Sequence, residues 1–167
     1  MAAPVTHPSV APIAEANVQT RADEPAIVDA SPADLAAIIE LDAQITGVSR
    51  SDFWIDFHNQ RAASETLCLL IAKVSGEIVG YALGEVRAWP VRTPACGWLY
   101  AIGVKKEQRL SRTATALVAE LTSRFRSHGV HTIRTMIDID DYLLMSFLRS
   151  LGMTAGPFIE LEMSIER

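Results

Sequence analysis

Cysteine is scarce in this sequence. Cys68 and Cys96 are the two in 167 residues, and their separation matches neither a metal-ligand spacing nor a redox pair. Each sits in an apolar stretch, where a thiol behaves as a small hydrophobe. With no disulfide framework, a reducing, cytoplasmic compartment is expected. No apolar run approaches the roughly 20 residues that span a bilayer, so no membrane partner is expected. The N-terminus also lacks the basic start and compact apolar segment of a signal peptide. Basic charge is in short supply: 15 Lys and Arg face 20 Asp and Glu, a formal net charge of −5. That balance argues against a nucleic-acid partner, because phosphate neutralisation needs a concentrated cationic surface. What remains is a globular composition, 49% hydrophobic and 21% charged. The length suits one domain with a core that needs no staples.

Residues 1–25 differ from the rest. Pro4, Pro8, Pro12 and Pro25 interrupt an Ala, Val and Thr background without helical or strand period, which reads as a flexible extension. The ordered domain is expected over 26–167. Ala26–Asp29 reads as a short strand, and Ser31-Pro32-Ala33-Asp34 as a capped helix start. A helix with Leu35, Ile38, Ile39 and Leu41 on its apolar face should end near Gly47, and a second begins at Ser51-Asp52. Leu67–Val74 and Ile78–Val86 flank Ser75-Gly76-Glu77, a hairpin signal. Trp98–Val104 is the next strand. A long helix follows, with Ala114, Leu117, Val118, Leu121 and Phe125 in register, closed by Gly129. Then come a strand over Thr132–Ile137, a helix over Tyr142–Ser150 stopped by Gly152, and an alternating strand over Phe158–Ile165. The fold class is α/β, of the α+β type, with a mixed central sheet and helices on both faces. His58, His128 and His131 show no ligand spacing, and no metal site is expected.

The chemistry concentrates in Trp98 to Ala114. An apolar strand runs into a basic turn carrying Lys105, Lys106, Arg109 and Arg112, which opens onto the long helix. Free amides at a helix start, aligned with its dipole, form an anion site, and a phosphate-bearing ligand is a natural occupant. The alternative is a solvated turn capping a structural helix.

These residues resemble the GNAT superfamily of acyl-CoA-dependent N-acyltransferases, from Ile27 to about Ile165. Ile27 to Leu35, Val74 to Tyr81 and Leu143 to Met153, with its closing Leu151-Gly152-Met153, follow the family's order. The family's Gln/Arg-x-x-Gly-x-Gly/Ala signature reads here Arg109-Leu110-Ser111-Arg112-Thr113-Ala114. Arg109 and Ala114 match. Arg112 stands at the central glycine, and Leu110 where a further glycine is common. The resemblance implies a GNAT-like domain that binds acetyl-CoA or CoA with its diphosphate over Arg109–Ala114. It implies that Ile102 and Val104 hold the pantetheine arm at a bulged strand, and that an N–H near Ile102 polarises the thioester. Gly103 fits such a bulge, or is a plain strand glycine.

The implied activity is N-acyl transfer, most simply acetyl transfer, to a primary amine of a small molecule or protein. The amine attacks the thioester directly, through an oxyanion held by backbone donors. The alternative is a weak or inactive acyl-CoA-binding or sensing module. A homodimer is compatible with either. The late-helix tyrosine that serves as acid in the family is replaced by Leu148. Tyr142 is a candidate substitute, with a buried structural tyrosine as the alternative. Asp141 reads as the helix cap, at a cofactor-side position often occupied by Asn. Glu85, in an apolar strand, is the candidate base, because a carboxylate near a core invites a raised pKa; an outward-facing residue is the alternative. Tyr100 can act through water. Phe53, Trp54, Phe57 and Trp89 either wall an acceptor pocket or belong to the core, and Gly156-Pro157-Phe158 would form the other rim.

Overall fold

The computed structural model describes residues 24–89, 93–109 and 111–165. The expected extension over 1–25 lies almost wholly outside the described residues, as does Leu110. The chain divides into two compact units, through Arg134 and from Thr135.

In the first unit, β1 (Ala26–Asp29), β2 (Leu67–Val74), β3 (Glu77–Arg87), β4 (Cys96–Val104) and β5 (Ile133–Arg134) form one sheet in chain order. Its first four strands are antiparallel neighbours, and β5 runs parallel to β4. The helices are α1 (Leu35–Thr46), α2 (Ser51–Arg61) and α3 (Thr113–Ser127). The β2–β3 hairpin turns on Ser75 and Gly76, with φ of 50° and 84°. Two consecutive left-handed residues match the twist of the flanking strands, which is why this dipeptide signalled a hairpin.

Alternation along β3 sets the two faces. Tyr81 and Leu83 join Ile38, Leu41, Trp54 and Phe57 in a core cluster with α1 and α2. On the other face, a Cβ added at Gly80 or Gly84 would meet Leu117 or Phe125 of α3. Helices therefore cover both sheet faces, as expected.

The first core is pinned by a carboxylate. Asp42 is fully buried and accepts from Arg50 Nε at 3.0 Å and Nη2 at 2.5 Å, Trp54 Nε1 at 2.9 Å and the Tyr81 hydroxyl at 2.6 Å. Burial pushes its pKa up, but the bonds from Arg50, Trp54 and Tyr81 outweigh that and leave it below the usual value. Burial, followed by the Asp42 bond, raises Tyr81 well above an ordinary phenol. The anchored ring leaves no room across the sheet: a Cβ on Gly103 would sit 2.6 Å from it. Gly103 is thus required by the Tyr81 ring and pairs in register outside the bulge, so of the two sequence readings it is the strand glycine.

At the helix entry, the Ser31 N–H and hydroxyl both donate to Asp34, and Lys73 Nζ reaches it at 2.8 Å. The Lys73 bond, then the Ser31 bonds, pull Asp34 down to about 2. Its folded pKa lies below an unfolded value of ~3.9, so this contribution is complete above that value and lost as pH falls towards 2. Asp34→Asn should flatten the fall in stability between about pH 4 and 2 in acid-unfolding titrations. An unchanged slope would contradict the linkage.

The second unit holds α4 (Tyr142–Ser150), started by Asp141, whose carboxylate accepts from the Leu144 N–H at 2.9 Å. Gly152 closes the helix at φ 91°. The expected strand over Phe158–Ile165 is not formed. Ile159, Leu161, Met163 and Ile165, its intended inner face, are at least 80% exposed. Alternation selects a face but supplies no partner, and no strand pairs with this segment among the described residues. The strand expected over Thr132–Ile137 likewise shortens to Ile133–Arg134.

Candidate functional site

β5 pairs with β4 only at Gly97 and Trp98. Beyond Trp98, β4 has a neighbour on one side alone, β3, among the described residues. Lys105 N–H bonds Val79 O on β3 at 2.8 Å. Backbone groups alternate between strand edges, so those of Gly103 also face β3 while those of Ile102 and Val104 face the open edge. The bulge lies just upstream. Leu83 pairs with Ala101 and Gly84 with Leu99, leaving Tyr100 as the extra residue of β4.

After Val104 the chain makes one short 3₁₀ turn, Lys106–Gln108, and enters α3. The first intrahelical bond of α3 is Ala116 N–H to Arg112 O at 2.9 Å. The amides of Thr113, Ala114 and Thr115 precede it and lack intrahelical acceptors. The side chain of Arg112, the N-cap residue, makes no capping bond. The Thr113 hydroxyl is buried and bonded to Ser111 Oγ at 2.8 Å; Ser111 also bonds Gln108. Arg109 and Arg112 are exposed. Lys105 is paired with Glu77.

Arg112 has φ 61° and ψ 10°, a left-handed conformation. This is the position where the family signature carries glycine, and the backbone here adopts the shape that glycine favours. An L-residue pays about 1–2 kcal/mol for that conformation. Arg112→Gly should raise thermal stability by roughly 1 kcal/mol, net of glycine's greater unfolded-state entropy. A loss of stability in the melt would show that the arginine side chain makes contacts worth more than the strain.

The open edge of β4 and a cation-flanked start to α3 fit a long phosphate-bearing ligand. Ile102 and Val104 offer main-chain groups, and Ser111 to Ala114 offer amides and hydroxyls.

At the bulge, two candidates named separately from the sequence meet. The Tyr100 hydroxyl donates to Glu85 Oε2 at 2.5 Å. Arg87 Nη1 donates to the Tyr100 oxygen at 3.2 Å and lies 3.5 Å from Glu85 Oε2. Burial, then the Glu85 bond, raises the Tyr100 pKa, keeping the phenol protonated. Glu85 is part-exposed at the rim, so it is neither a core carboxylate nor a free surface one. The aromatic wall divides: Trp54 and Phe57 are core, whereas Phe53 and Trp89 remain exposed. Trp54 is drawn inward by its bond to Asp42. Tyr142 and Asp141 stand at the start of α4 in the second unit. Asp141 serves as the cap, as expected. Arg87 was not foreseen, although its spacing of two from Glu85 puts both on one face of a strand.

The Acetyltransferase (GNAT) family matches residues 35–153. An L-2,4-diaminobutyric acid acetyltransferase of Nocardia farcinica is 26% identical over 87 residues, taking in 52% of this chain and 44% of that protein. The crystal structure of an aminoglycoside 6'-N-acetyltransferase from Acinetobacter haemolyticus superposes with a TM-score of 0.72 at 20% identity, covering 84% of this chain and 99% of that one. An aminoglycoside N-acetyltransferase in complex with CoA gives a TM-score of 0.75 at 14% identity, over 86% and 96% of the two chains.

Proposed function

The chain belongs to the GNAT acetyltransferase family, and from that premise we propose that it is an acetyl-CoA-dependent N-acetyltransferase acting on a primary amine of a small molecule or protein. The observation that carries the reading is the Glu85–Tyr100 pair at the β4 bulge, next to the strand edge where Ile102 and Val104 present their backbone groups. Bound acetyl-CoA supplies the activated acetyl thioester. The first amides of α3, with Ser111, Thr113, Ala114 and the cations Arg109 and Arg112, would hold the diphosphate. Main-chain groups of Ile102 and Val104 would hold the pantetheine arm, and the Ile102 N–H would be the donor for the developing negative charge. Glu85 receives the proton of the incoming amine, directly or through Tyr100. Leu148 supplies no acid from the late helix. The relatives' named acceptors, diaminobutyric acid and aminoglycosides, are amines, which supports this acceptor class.

A melt with and without acetyl-CoA, followed by thiol release over an amine panel, tests the reading. Acetyl-CoA at 100 times its dissociation constant should add about 2.7 kcal/mol to stability. A shift without thiol release would point to an acyl-CoA-binding module; no shift would overturn the proposal. We place the protein in the cytoplasm, in keeping with its two unpaired cysteines; no helix among the described residues is long and apolar enough to cross a membrane. The exposed apolar side chains of Ile159, Leu161, Met163 and Ile165 favour a homodimer, which sedimentation would show.

A further inference from the structure

We infer that the amine acceptor carries a carboxylate and that Arg87 is the residue that grips it. The inference rests on the acceptor site proposed above and names the substrate class of that site. Arg87 ends β3 with its side chain 48% exposed. It is held on two sides. Its guanidinium lies over the Trp89 ring, 5.9 Å from the centroid, and its Nη1 is committed to the Tyr100 hydroxyl. Trp89 is itself fixed, because Arg134 Nη1 donates to its carbonyl at 3.0 Å. The Nε and Nη2 edge of Arg87 makes no bond among the described residues. That edge is the planar fork that matches a carboxylate with two parallel bonds.

Charge logic selects the ligand. A simple or polycationic amine would be served by Glu85 alone, and a guanidinium 3.5 Å from that carboxylate works against it. An amino acid meets both signs. Glu85 and Arg87 start roughly 6–7 Å apart at the backbone on one strand face, and their charged groups approach to 3.5 Å, so the two opposite charges sit side by side, one to take the amine and the other the carboxylate. The ion pair with Glu85 does not use the whole of Arg87: it runs through Nη1 at 3.5 Å, the same nitrogen that meets Tyr100, and leaves the Nε and Nη2 edge for a ligand.

Matched substrates separate this from a mere effect on Tyr100. L-ornithine and 1,4-diaminobutane differ only in the carboxylate, as do L-lysine and 1,5-diaminopentane. For the wild-type protein, kcat/KM should favour the amino acid over its matched diamine by roughly tenfold or more. Arg87→Gln should erase that preference through the amino acid's KM, while any fall in kcat from the lost Tyr100 contact is shared by both members of a pair. Arg87→Lys, which keeps the charge without the fork, should restore only part of it. A wild-type preference for the diamines, or an equal loss for both members of each pair in Arg87→Gln, would overturn the inference while leaving the acetyltransferase reading intact. Failure of all four amines in a protein that acetyl-CoA still stabilises would overturn it too. Absence of the acetyl-CoA shift would instead overturn the parent reading.

Discussion

Asp42→Ala is expected to lower the unfolding free energy by about 3–5 kcal/mol. The carboxylate is the common acceptor for four bonds from three side chains. Removing it strands the indole N–H of Trp54 and the hydroxyl of Tyr81, both fully buried. Each orphaned group costs about 1–3 kcal/mol. Arg50 contributes less, because its side chain is 41% exposed and can turn to water. For a domain of this size the loss corresponds to a melting point lower by roughly 10 °C or more. Asp42→Asn keeps the volume and one acceptor, so its loss should be smaller. Because Asp42 titrates below its ordinary value when folded, its contribution is complete above the unfolded pKa and is lost as pH falls through the folded one. The two variants should therefore converge on the wild type in strong acid. A melting point for Asp42→Ala within about 2 °C of wild type would show that the network is dispensable.

Glu85→Gln should lower kcat by roughly 10²–10⁴, the range for loss of a positioned base. Glutamine keeps the length and can still accept the Tyr100 hydroxyl, so the geometry at the bulge should persist. The acetyl-CoA dissociation constant, read by titration calorimetry, should not move, since Glu85 lies off the strand edge proposed to hold the cofactor. Full turnover in Glu85→Gln would remove Glu85 from the reaction and leave Tyr100 and water as the proton's route.

The elements that could be read from sequence are those whose signal is local. Ser75-Gly76 turned the hairpin by its own backbone preference, and the stripe of Leu117, Leu121 and Phe125 declared which face of α3 is buried. Glu85 and Tyr100 were both legible as polar groups in apolar strands. Their meeting was not, because it depends on the extra residue that β4 carries at Tyr100. Asp42 was overlooked although it falls on the apolar stripe of α1, between Ile38 and Ile45. A carboxylate there reveals itself only when its partners arrive from α2 and β3. Phe158–Ile165 shows the converse limit. Its period is a strand's, but a strand is made by its neighbour. The glycine missing from the phosphate loop was legible as a departure, and the backbone at Arg112 keeps the glycine-like shape regardless.

A crystal of the protein soaked with CoA should show the diphosphate within hydrogen-bond distance of the Thr113, Ala114 and Thr115 amides, with the pantetheine arm along Ile102 and Val104. CoA bound elsewhere, or the Arg112 side chain folded across those amides with no CoA in place, would contradict that placement.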